Sequence, residues 1–104
     1  MKTISLKVGS HRGAPRIWIE GAQLITAGFP VGSSFRVSFL SGSIVITSET
    51  TGDRKVSGRT REGVALPIID LNTVKIATSL GAVSRISVAM AGGLITITAG
   101  EDAS

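Results

Sequence analysis

Eight of the eleven cations fall in two runs, Lys2, Lys7, Arg12 and Arg16 near the N-terminus and Arg54, Lys55, Arg59 and Arg61 in mid-chain. The stretches around Arg12 and from Arg54 to Arg61 hold glycines and little apolar material, the composition of exposed loops. Cations gathered this way suit a polyanion, because each phosphate they neutralise releases condensed counterions. Arginine forks also match guanine edges in the major groove. The same residues equally suit ordinary solvated loops. His11 beside Arg12 offers a second chemistry, ribonuclease-type cleavage. There the imidazole would activate a 2′-hydroxyl and the guanidinium would stabilise the phosphorane. His11 is the one histidine of the chain, so a second imidazole to act as acid does not exist. Trp18 stands between Arg16 and Glu20 on the polar side of its strand, placed to stack on a base or to pack under a loop. Arg36 and Arg85 extend the outer faces of two hairpins.

The acids Glu20, Glu49, Asp53, Glu62, Asp70, Glu101 and Asp102 are scattered, without the spacing of a metal site, and the last two read as a tail. No glycine-rich phosphate loop opens a helix. Neither a cofactor nor a metal is expected. With no cysteine, disulfides, thiolate ligands and thiol nucleophiles are excluded. A cysteine-free chain without an apolar leader or a membrane-length apolar run is expected in the cytoplasm and off the membrane.

Hydrophobic residues make up 42% of the 104, enough for one domain spanning residues 1–104. The net charge of +4 favours acidic partners. Ile4, Leu6 and Val8 alternate with polar residues as a first strand. Residues 9–15 read as a loop that is mobile without ligand. Residues 16–20 form a second strand, with Ile17 and Ile19 on one face. Residues 22–27 turn as helix, stopped by Gly28 and Pro30. Residues 34–40 and the return through Ile44 and Ile46 make a hairpin around Ser41-Gly42-Ser43. Residues 50–66 are expected to hold a short strand near Lys55 and a basic loop.

This order recurs. At an offset of 51, Phe35, Val37, Phe39, Ile44 and Ile46 meet Ile86, Val88, Met90, Ile95 and Ile97. Upstream the offset is 52, and Pro15, Ile17 and Ile19 meet Pro67, Ile69 and Leu71. The slip is expected inside the helix, with Val74, Ala77 and Leu80 replacing Leu24, Ala27 and Phe29. Two strand–helix–hairpin repeats, residues 3–49 and 54–100, are therefore expected, each too short to enclose a core alone. The predicted fold is mainly β, a small closed barrel formed as an intrachain pseudo-dimer. Closure would bring both basic clusters onto one surface.

Ile17, Ile19, Gly21, Leu24, Ala27, Gly28, Phe29, Gly32, Val37, Gly42, Ile44, Val45, Ile46 and Thr47 carry a resemblance. The string I-x-I-x-G-x-x-L-x-x-A-G-F, then G-x-x-x-x-V, then G-x-I-V-I-T resembles the SymE-like toxin domain and the AbrB/MazE swapped-hairpin superfamily. It implies a swapped-hairpin barrel that contacts DNA through basic residues, as an antitoxin or transcriptional regulator. SymE-like members point instead to a toxin acting on RNA as an endoribonuclease or compacting nucleic acid. Gly21, Gly28 and Gly32 have no glycine counterparts in the second repeat.

The expected function is duplex DNA binding by a transcriptional regulator, with DNA preferred over RNA. Its nucleic-acid-binding residues are Lys7, Arg12, Arg16, Arg54, Lys55, Arg59 and Arg61. The alternatives are a SymE-like ribonuclease using His11 and Arg12, and a protein-interaction module. Homodimerisation of the whole chain is also expected.

Overall fold

The computed structural model describes residues 2–100, so Glu101 and Asp102 lie outside the described residues. Twelve elements follow in order: β1 (Lys2–Lys7), β2 (Gly9–His11), β3 (Ala14–Glu20), α1 (Gln23–Thr26), β4 (Ser34–Leu40), β5 (Ser43–Ser48), β6 (Arg54–Lys55), β7 (Ser57–Arg61), β8 (Val64–Asn72), α2 (Lys75–Leu80), β9 (Arg85–Ala91) and β10 (Leu94–Ala99). They form two antiparallel sheets, a six-stranded one ordered β1-β9-β10-β5-β4-β6 and a four-stranded one ordered β2-β3-β8-β7.

Period-two alternation decides what each sheet buries. Ile17, Ile19, Ile69 and Leu71 point inward from β3 and β8. They meet Phe35, Ile44, Ile46, Ile86, Val88, Ile95 and Ile97 from the larger sheet. Leu24, Phe29, Ile76 and Leu80 close the ends of this core. Aliphatic side chains supply nearly all of it, as the scarcity of aromatics requires.

Strands pair between the two halves of the chain. β1 pairs with β9, β5 with β10 and β3 with β8. Loop hydrogen bonds come in matched couples. Val8 N–H donates to Ser84 C=O and Val56 N–H to Ser33 C=O, both at 2.9 Å. Gly21 N–H donates to Pro67 C=O and Thr73 N–H to Pro15 C=O, both at 3.2 Å. Gly42 N–H reaches Ser79 C=O at 2.9 Å, and Gly93 N–H reaches Ala27 C=O at 2.7 Å.

Three expectations need correction. The sheets do not join into a closed barrel. The strands that would seal it change sheets at Val8 and Val56, leaving edges at β1, β6, β2 and β7. Residues 9–15 are not an irregular loop but the hairpin of β2 and β3, and the basic loop of mid-chain is the hairpin of β7 and β8. Both turn through two residues at positive φ: Arg12 (53°) with Gly13 (78°), and Glu62 (53°) with Gly63 (78°). That is the geometry whose twist matches paired strands. Finally, Ile76 and Ser79, not Val74 and Ala77, take the inward places of the second helix. The one-residue slip therefore falls at Gly28, whose φ of 93° ends α1.

Candidate nucleic-acid interface

The outer face of the four-stranded sheet collects the polar side chains of β3, β7 and β8. Ile17 and Ile19 point inward, so Arg16, Trp18 and Glu20 must point out. Across β3 and β8, Trp18 faces Asp70 and Glu20 faces Ile68. On the next strand, Ser57 faces Ile68 and Arg59 faces Leu66.

Arg16 is held at two points. Its Nε and Nη2 donate to the two carboxylate oxygens of Asp70, each at 2.9 Å. Its guanidinium lies 4.5 Å from the centre of the Trp18 ring. A planar fork matched to a carboxylate and stacked on an indole is a pairing lysine cannot copy. The Asp70 hydrogen bond, aided by its charge and opposed by partial desolvation, raises the Arg16 pKa above its ordinary value.

Trp18, 38% exposed, donates its Nε1–H to Glu20 Oε1 at 2.9 Å. Arg59 reaches the same carboxylate at 3.4 and 3.5 Å. The Trp18 hydrogen bond first, then the charges and hydrogen bonds of Arg59 and the charge of Arg61, hold the Glu20 pKa below the usual range against desolvation. Ile68 points to this outer side yet is only 6% exposed, sheltered among these long side chains.

The two basic clusters do not merge. Arg12 sits in the turn beyond the Arg16 end of β3, while Arg59 and Arg61 lie beyond its Glu20 end. At about 3.3 Å per strand residue, the cations at the two ends are on the order of 30 Å apart. Lys7 and Lys55 occupy the ends of the edge strands β1 and β6. Arg54 pairs with inward-facing Phe35 and is half-buried at the sheet edge. The single joined surface is replaced by a cationic group at each end of one sheet. Arg16 and Arg59 are already paired with acids, whereas Lys7, Arg12, Lys55 and Arg61 make no ion pair among the described residues. Arg36 is likewise engaged, by Glu49 at 2.8 Å.

His11 ends β2 on an exposed stretch. Its carbonyl accepts from Asn72 Nδ2 at 3.2 Å; the same amide also reaches the Ala14 and Pro15 carbonyls, tying down the base of the hairpin. Two open clefts lie elsewhere. One, of about 380 Å³, is lined by Lys2, Gln23, Thr26 and Met90, and the other, of about 270 Å³, by Phe39, Leu40, Lys75 and Thr78. Neither brings a general acid and base together.

The acids Glu20 and Asp70 were not singled out in the sequence, although a signal existed. Asp70 interrupts an apolar strand between inward Ile69 and Leu71, so it had to face outward beside the outward residues of its neighbour.

Fold and face together define a two-sheet antiparallel β protein with a tryptophan-centred, charge-paired sheet surface. Comparison with protein-family models, with curated proteins and with solved structures finds no match in any of the three. Among the described residues, no helix is long and apolar enough to cross a membrane.

Proposed function

We propose that the protein binds nucleic acid, duplex DNA in preference to RNA, as a regulator of the swapped-hairpin, AbrB-like kind. Its repeats, residues 3–49 and 54–100, act as an intrachain pseudo-dimer. The matched hydrogen bonds between the halves and the pairing of β1 with β9 support that arrangement.

One observation carries the functional reading. Cationic turns flank the Trp18 face at the two ends of the four-stranded sheet, Arg12 at one and Arg61 at the other, with Lys7 and Lys55 on the edge strands of the larger sheet. Their separation, on the order of 30 Å, approaches the roughly 34 Å between successive major-groove faces of a duplex. A two-stranded β-ribbon is also narrow enough to enter that groove.

Fluorescence anisotropy with a labelled duplex of two helical turns tests this. Four unpaired cations predict a log–log salt slope of about −3.6. Arg12→Ala and Arg61→Ala each lower the slope by about one. A flat salt response, or affinity indifferent to both substitutions, defeats the proposal. The ribonuclease reading gains no support from the geometry, since His11 and Arg12 stand at an exposed hairpin end without a bonded acid.

A further inference from the structure

The two halves differ at one sheet edge. β1 covers β9 along its length, from Lys2 opposite Met90 to Lys7 opposite Arg85. The counterpart of β9 is β4, but its covering strand β6 pairs only with Ser34 and Phe35. The burial follows. Val88 and Met90 are 0% and 3% exposed, whereas their counterparts Val37 and Phe39 are only half-buried and the adjoining Leu40 is 50% exposed.

The cause is covalent. The chain leaves β5 at Ser48, opposite Phe35, and must reach Arg54, which flanks the same residue on its other side. Residues 49–53 make that crossing as a turn, with Gly52 against the Phe35 main chain. The link between the halves thus takes the place of most of a strand.

What remains open is an unpaired edge. Glu49 N–H donates to Ser34 C=O, so even-numbered residues of β4 turn their main chain toward β5 and odd-numbered ones the other way. The peptide groups of Val37 and Phe39 therefore face outward, where no described strand pairs with them. Proteins guard such edges with charges, prolines or bulges. Here the one charge between residues 36 and 40 is Arg36, drawn aside by Glu49 and the Thr51 carbonyl, while Lys75 of α2 lies 5.8 Å from the centre of the Phe39 ring and leaves the Val37–Ser38 stretch uncharged.

We propose that this edge pairs with the same edge of a second copy of the chain. The stretch is self-complementary about Ser38. Antiparallel pairing sets Val37 opposite Phe39 of the second copy as a hydrogen-bonded pair, and Phe39 opposite its Val37. Ser38 then faces Ser38, and the apolar stem of Arg36 lies beside Leu40. Inward side chains meet inward ones, so the larger sheet and its apolar inner layer run on through both copies. An edge this short buries less than the roughly 1,200 Å² of a stable interface, so the dimer is weak and concentration-dependent.

The absence of cysteine makes the test direct. Facing residues of a non-hydrogen-bonded pair lie about 4.5 Å apart at Cα, within the 4.4–6.8 Å or so that a disulfide spans. Ser38→Cys is expected to give a reducible covalent dimer under mild oxidation. Ala89→Cys, the counterpart on the covered strand, is expected to remain monomeric. Ser38→Lys and Ser38→Glu, both at an exposed position, are each expected to be monomeric by sedimentation velocity and to dimerise when mixed. Wild type that stays monomeric up to millimolar concentration overturns the proposal, as does equal cross-linking of both cysteine variants. Saturable binding of a peptide copying Lys2–Lys7 to a strictly monomeric protein overturns it too, and assigns the edge to a foreign strand.

Discussion

Trp18 and Asp70 face each other across the central strands of the four-stranded sheet. The offset that lays Pro15 on Pro67 also lays Trp18 on Asp70, so each stands where the other half would place its counterpart. Symmetry of backbone has become complementarity of side chains. Arg16 spans both, stacked on the indole and forked onto the carboxylate.

If the proposed nucleic-acid face is used, that relationship makes Asp70 compete with phosphate for Arg16. Asp70→Asn is expected to release Arg16 and steepen the salt slope of DNA binding by about one. Exposed ion pairs contribute little, so stability should barely change. Anisotropy at several salt concentrations, with urea unfolding beside it, checks both parts. A slope unchanged by the substitution would remove Arg16 from the interface.

Glu20 ties the indole to a titrating group. Its native pKa is lowered, so its stabilisation is full above the ordinary carboxylate range. That stabilisation fades as pH falls through the lowered native value. Trp18, the one tryptophan, should report this as a fluorescence transition below the usual glutamate range. Glu20→Gln is expected to abolish the transition. Its persistence would assign it to another carboxylate.

Gly52 has no room for a side chain, because a Cβ there would fall onto the main chain of Phe35. Gly52→Ala is expected to cost more than about 2 kcal/mol, in the range of backbone strain at a position that cannot relax. The midpoint of urea unfolding measures it. Gly42→Ala, with open space but φ of 87°, should cost less, about 1–2 kcal/mol.

Glu62 occupies a left-handed position that asparagine adopts more readily. Glu62→Asn is expected to stabilise by up to about 1 kcal/mol, or roughly 4–8 °C in thermal midpoint. A lowered midpoint would show that the Glu62 carboxylate has a partner outweighing the backbone term.

Most inward strand residues were legible, because alternation at period two names them without reference to any partner. Ile17, Ile19, Phe35, Ile44 and Ile46 and their counterparts are all buried as the pattern requires. The helix stop at Gly28 was legible for the same local reason. The hairpins around Arg12-Gly13 and Glu62-Gly63 were not. Their first turn residue lacks the asparagine or aspartate that normally marks the conformation, and their outer strands are too polar to alternate.

Local chemistry in the sequence thus determined which residues face the core, where most strands run and that the chain repeats itself. Tertiary pairing alone decided that the cations divide between two ends of a sheet, that Asp70 and Glu20 claim Arg16 and Arg59, and that β4 keeps an open edge. Each of these depends on which strands lie side by side in space, β3 with β8 and β4 with β6. Side-chain period sets the face of a strand but not its neighbour.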